Sequence, residues 1–208
     1  MAEEMRGIVE KGYDEGNYQK FYRQSLVLNP REKRFFAKLL DYLPTSARIL
    51  DLGSGIGIPY DRYLVKRGFA VTGIDVSSNH IAKARKYVPE AEYIKADFSR
   101  TDLGQSSFHA IISIYSVFHI PRKDHASLFV KINSALKDGG ILLVTMGTND
   151  VELDIDEFVG SRMAWSSFSI PENVELIKQA RFKLLHVEEQ DEDPQEHHLW
   201  ILAQKILE

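Results

Sequence analysis

The sequence predicts an α/β fold: one three-layer α/β/α sandwich on a mostly parallel, seven-stranded sheet that ends in an antiparallel hairpin, preceded by helices. Three observations predict it. Short apolar runs alternate with amphipathic helical stretches along most of the chain, the pattern of a parallel sheet covered by helices. The first apolar run leads straight into a glycine-rich turn, G-S-G-I-G-I-P at 53–59. The chain closes with two apolar runs separated by the polar stretch D-E-D-P-Q-E, a hairpin signal.

In order, residues 16–29 carry Tyr18, Phe21 and Tyr22 at the spacing of one helical face. Residues 31–43 predict an amphipathic helix through Phe35, Phe36, Leu39 and Leu40, ended by Pro44. A-R-I-L-D-L is the first strand, and a helix through Tyr60 and Leu64 closes at Gly68. A-V-T-G-I-D is the second strand, followed by a helix that Ser77 or Ser78 can cap. A-E-Y-I-K-A-D is the third strand, and F-H-A-I-I-S-I-Y-S is apolar enough to be a central fourth. Asp124 to Lys137 predicts a helix stopped by Gly139 and Gly140, and I-L-L-V-T-M-G is the fifth strand. Residues 148–170 are acidic and aromatic without clear periodicity, and Pro171 sits where prolines open helices. F-K-L-L-H-V-E-E-Q and H-H-L-W-I-L-A-Q-K complete the sheet.

Composition narrows the function classes. The chain has 208 residues, enough for one domain with a large core. It has no cysteine, which excludes disulfides, Cys-ligated zinc or iron–sulfur sites and a thiolate nucleophile, and fits a cytoplasmic protein. The N-terminus lacks the apolar run of a secretory signal, and no stretch approaches the roughly 20 apolar residues of a membrane helix. A formal net charge of −4 gives no global attraction to polyanions, so nucleic acid is not an expected partner.

The segment I-L-D-L-G-S-G-I-G-I-P carries the chemistry. Glycines between a strand and a helix allow close backbone approach to a ligand at a helix N-terminus. A dinucleotide fingerprint would need glycine at 58, where Ile58 stands, and Asp51 suits a cationic ligand better than a pyrophosphate. Asp75 ends the second strand, where a carboxylate can hold ribose hydroxyls, and Asp97 ends the third, where one can accept from an adenine amine beside Phe98.

With these residues in order, the sequence resembles the class I, Rossmann-like S-adenosylmethionine-dependent methyltransferases. The resemblance runs from about Ile49 to Gly147: D-x-G-x-G-x-G (Asp51, Gly53, Gly55, Gly57), the second-strand acid Asp75, A-D-F at 96–98, and F-H-A-I-I-S-I-Y-S-V-F-H-I and L-K-D-G-G-I-L-L-V-T farther on. It implies a single domain: a helical cap at 1–45, a cofactor-binding core at 46–147 and a substrate lid at 148–170. It implies S-adenosyl-L-methionine as cofactor and S-adenosyl-L-homocysteine as product. It further implies contacts from Ser54, Val76 and Ser113.

Methyl transfer needs alignment and exclusion of water, and a base only where the acceptor loses a proton. Tyr115 and His119 follow the fourth strand. His119 is the candidate base, with packing beneath the next helix as its other reading. Tyr18, Tyr22, Met163, Trp165, Phe168 and His198 are candidate lid residues over a small-molecule acceptor, with core packing as the alternative for each. His197 and His198 point to opposite faces of a strand, so no metal site is expected. The competing readings are an RNA or protein methyltransferase, which would show a basic face, a non-catalytic binding module, and a nicotinamide-dependent dehydrogenase, disfavoured by Ile58 and Asp51. The acceptor and the oligomeric state stay open.

Overall fold

A computed structural model describes residues 1–16, 27–190 and 197–207. In chain order its elements are α1 (Ala2–Glu15), α2 (Pro30–Leu40), β1 (Arg48–Leu52), α3 (Tyr60–Val65), β2 (Ala70–Asp75), α4 (Ser78–Tyr87), β3 (Glu92–Lys95), β4 (Phe108–Ser113), α5 (His125–Ala135), β5 (Leu136–Gly147), β6 (Val151–Phe158), β7 (Ser161–Ser167), α6 (Ile170–Gln179), β8 (Phe182–Gln190) and β9 (His198–Lys205). The main sheet has seven strands in the order β3-β2-β1-β4-β5-β9-β8. β1 to β5 run parallel, and β9 joins antiparallel to both β5 and β8.

The alternation of side chains along each strand divides the core into two layers. Leu50, Ile111 and Leu142 face α5 and α6, where Phe129, Ile132 and Ile177 pack. Their neighbours Ile49, Ile112 and Leu143 face the other side, against Phe35, Phe36 and Leu39 of α2 and Leu64 of α3. α2 is started by a capping box: the Glu32 N–H donates to Asn29 Oδ1 (2.9 Å) and the Asn29 N–H to Glu32 Oε2 (2.7 Å), with Pro30 in the first turn.

Two expectations are corrected. The helix read as Asp124–Lys137 ends at Ala135, and Lys137 to Gly140 already belong to β5. There the register against β4 jumps from Phe108↔Leu136 to Ala110↔Ile141. Gly139 (φ +69°) therefore turns a bulge within the strand instead of stopping a helix. Second, residues 148–170 are not aperiodic. They hold the β6–β7 hairpin, a separate two-stranded sheet. In V-E-L-D-I-D the apolar side chains are half-buried and the acids exposed, a period-2 pattern within an acidic stretch. β7 packs against α1 through Met163 and Ala164, which bury Met5 and Val9. Tyr18, Phe21, Tyr22 and the D-E-D-P-Q-E turn lie outside the described residues.

Candidate functional site

In an open parallel sheet, ligands bind beyond the carboxyl ends of the strands where the strand order reverses. Here that point lies between β1 and β4. The loops after β1, β2, β3 and β4 converge there on a cavity, with α1 along one side of it. Gly53, Ser54, Gly55, Asp75, Val76, Asp97, Phe98, Tyr115 and His119 all line it, as the sequence expects; Arg6, Val9, Tyr13, His80 and Ser116 line it too and were not foreseen.

Asp75 organises the loops around it. Its Oδ2 accepts the Gly55 N–H (2.8 Å) and its Oδ1 the Ser77 N–H (2.8 Å), while Ser77 caps α4 by accepting from His80 N (3.1 Å). A carboxylate has about four acceptor positions, so capacity remains for two ligand hydroxyls. His80, 3% exposed, has a buried Nδ1 with no hydrogen-bond partner, 3.4 Å from Asp75 Oδ1. The space beside Gly55 is open: a Cβ built there meets nothing within 4 Å. These features leave a cradle with spare acceptors and an uncommitted buried nitrogen, and they fit a ligand bearing hydroxyls.

Asp97 is more committed than its place at a strand end suggests. Arg6 of α1 donates to its Oδ2 (2.7 Å), to Ser99 Oγ (2.6 Å) and to Asp124 Oδ2 (2.6 Å). The Ser99 N–H takes Asp97 Oδ1 (2.9 Å). Lys131 fixes the turn from below, donating to the carbonyls of Phe98 (2.8 Å), Ser99 (2.9 Å) and Thr101 (2.7 Å); its pKa is lowered by burial. α1 is pinned elsewhere by Lys95–Glu10, by Arg100–Glu3 and by Asp14, which accepts from Ser77 Oγ (2.6 Å).

Three expected ligand contacts lie outside the cavity. Asp51, 1% exposed, is not in the cavity lining and lies beside Asp61, whose carboxyl is pushed up by burial and accepts from Tyr93 Oη (2.9 Å). Gly57 packs on Tyr93, leaving no room for a ligand. Ser113 is fully buried and donates to the Leu52 carbonyl (2.9 Å), tying β4 to β1. Their place in the motif is explained by holding the loop.

On the β4 side, Tyr115 adopts φ +57°, and its N–H donates to Thr145 Oγ1 (2.5 Å). His119 is buried, and burial pushes its pKa down to about 4, so it is neutral. Its Nδ1 lies 2.8 Å from the Ala164 carbonyl, which can only accept; Nδ1 therefore carries the proton and Nε2 accepts from Tyr13 Oη (2.7 Å). The lid candidates divide. Trp165 stands 6.0 Å from the His119 ring, whereas Met163 is core under α1. Phe168 packs under the Arg122 guanidinium (4.9 Å), and His198 packs on Tyr115 (4.8 Å) and Phe118 (5.2 Å), behind the cavity wall. Arg122 also pairs with Asp150. Among the described residues no group of acids and histidines could hold a metal, and no helix is long and apolar enough to cross a membrane.

Residues 49–140 match the family model described as a methyltransferase domain. Over that segment the chain is similar to S-adenosylmethionine-dependent methyltransferases. The chain is 27% identical over 177 residues to a sterol 24-C-methyltransferase from Gibberella zeae, covering 76% of its own length and 45% of that relative. It is 33% identical over 127 residues to an S-adenosyl-L-methionine-dependent Diels-Alderase from a Neonectria species, covering 60% of its chain and 49% of the relative. The chain thus spans about half the length of these curated relatives. Its fold matches that of Burkholderia thailandensis 1,6-didemethyltoxoflavin-N1-methyltransferase, solved with S-adenosylhomocysteine, at a TM-score of 0.74 and 18% identity, over 100% of this chain and 91% of that one.

Proposed function

We propose that this protein binds S-adenosylmethionine beneath α1 and transfers its methyl group to a small-molecule acceptor. One observation carries the reading: a single cavity joins the glycine loop, Asp75, Asp97 and a neutral histidine under one helix. Asp75 and His80 would hold ribose hydroxyls, Phe98 would lie against the adenine, and the open face of Gly55 would admit the amino-acid part. The cofactor supplies an activated methyl group; the chain supplies alignment and, through α1, partial cover from water. A compact acceptor fits better than a nucleic acid, because the exposed acids Glu152, Asp154 and Asp156 of β6 would repel phosphates. A cytoplasmic location is part of the proposal, testable by cell fractionation. Calorimetry with S-adenosylhomocysteine and with NAD tests the cofactor, and methyl release over small phenols, amines, thiols and acids tests the reaction. Binding of NAD without S-adenosylhomocysteine would overturn the proposal.

A second reading comes from the Neonectria relative, whose name assigns it a Diels-Alder reaction. Cofactor binding with no methyl release from any acceptor would favour ring-forming chemistry in the same cavity.

A further inference from the structure

Tyr13 has no role in the motifs that place the cofactor. It projects from α1 into the cavity between two histidines, with its ring centroid 5.3 Å from that of His80 and 5.3 Å from that of His119. The Ala164 carbonyl fixes His119 in the Nδ1–H tautomer, which leaves Nε2 as an acceptor. The phenol donates to that acceptor at 2.7 Å. Access to His119 Nε2 from the cavity therefore runs through the Tyr13 hydroxyl. The charged and titratable groups that bear on His119 are His198, from β9, and Asp75, at the end of β2.

We propose that Tyr13 is a catalytic residue, the cavity-facing end of a two-residue proton relay with His119, and that the acceptor it serves is a hydroxyl compound. The proposal rests on the methyltransferase reading above. The steps balance. The acceptor oxygen forms its bond to the methyl carbon as the carbon–sulfur bond breaks, and that electron pair stays on sulfur. The acceptor proton passes to Tyr13 Oη while the phenol proton passes to His119 Nε2. The site exchanges one cation, the sulfonium, for another, the imidazolium, so its net charge is constant, and the proton leaves to solvent afterwards.

The direction to oxygen follows from acidity. A methylated hydroxyl that still holds its proton is a strong acid, and even a weakly basic imidazole removes it. A neutral amine attacks through its lone pair and leaves a stable ammonium, so no proton has to be removed in the step and a relay through Tyr13 to His119 would serve nothing there. A neutral imidazole also places no positive charge against the sulfonium before reaction.

The test compares wild type, Tyr13→Phe, His119→Asn and the double variant. Calorimetry with S-adenosylhomocysteine should give dissociation constants within about threefold of one another, since the Tyr13 hydroxyl and the His119 ring nitrogens bond to one another and to Ala164 and not to Asp75, Asp97 or the glycine loop. If the wild type itself does not bind, the methyltransferase reading fails and the relay falls with it. Nitrogen-15 NMR of the imidazoles should show His119 neutral and protonated on Nδ1 at pH 7, with the Nε2 shift moving in Tyr13→Phe. S-adenosylhomocysteine formation is then followed with catechol, 4-nitrophenol, benzyl alcohol and benzylamine. The expected result is turnover of hydroxyl probes only, with kcat lowered on the order of 10²–10⁴-fold in each single variant and no further in the double. Unchanged kcat in Tyr13→Phe, preference for the amine, a protein that binds S-adenosylhomocysteine yet methylates no hydroxyl probe, or His119 found in the other tautomer would each overturn the relay.

Discussion

Two glycines two residues apart should fail in opposite ways when replaced by alanine. Gly55 has φ +54° and Gly57 φ +74°, both in the left-handed region, so each alanine costs roughly 1–2 kcal/mol in backbone strain. At Gly55 the methyl enters open space at the cavity wall, so strain is the whole folding cost. At Gly57 the Cβ would stand 2.3 Å from Tyr93 Oη. That hydroxyl cannot retreat without breaking its bond to buried Asp61, so overpacking adds roughly 1–3 kcal/mol. At roughly 2–4 °C per kcal/mol for a chain of this size, Gly55→Ala should lower Tm by about 5 °C and Gly57→Ala by about 10 °C. S-adenosylhomocysteine affinity should reverse the order: Gly55→Ala loses at least about tenfold, roughly 1.4 kcal/mol, because its methyl occupies ligand space. Folded Gly57→Ala retains most of its affinity. Thermal scanning and calorimetry on the two purified variants decide it. Wild-type binding by Gly55→Ala, or equal Tm losses, would refute the division of the loop into a ligand-facing and a packing glycine.

Acid should destabilise the protein through two buried histidines. His119 and His125 are each pushed by burial from 6.5 to about 4. The unfolded chain therefore binds more protons between those values; the stability is full above about 6.5 and is lost as pH falls through the window. Between pH 7.5 and pH 5 each should lose about 2 kcal/mol, read by urea unfolding, and His125→Asn should flatten its share. Asp75→Asn should weaken S-adenosylhomocysteine binding and also cost roughly 1–3 kcal/mol of stability, because one of the Gly55 and Ser77 N–H groups loses its acceptor; an unchanged urea midpoint would contradict that. Arg6→Met should free Asp97 and Asp124 and speed amide exchange in α1 without moving the core strands; uniform protection would show that Arg6 does not hold the helix.

The sequence made the sheet and half of the site legible because both obey periodicity. Each acid at the end of an apolar run had to emerge at the carboxyl edge, so Asp75 and Asp97 were placed by counting alone. Asp51 lies outside the cavity lining, beside Asp61, which position along a strand does not encode. Arg6 and Tyr13 were invisible for a different reason. Half of α1 is charged and it buries only Met5, Val9 and Gly12, so it reads as a solvated helix, and its partners lie far along the chain. The β6–β7 hairpin was hidden by its acids, although Val151, Leu153 and Ile155 alternate with them.

The seat of α1 on β7 has a consequence for biosynthesis. The helix leaves the ribosome well before β7: Met163 and Ala164, which cover Met5 and Val9, follow roughly 150 residues later, or some 8–30 s at usual synthesis rates. During that interval Met5 and Val9 have no native partner. α1 is too short to persist alone in water, so it waits unstructured. The helix is therefore made long before it can find its place, and that side of the cavity stays uncovered until the hairpin has emerged.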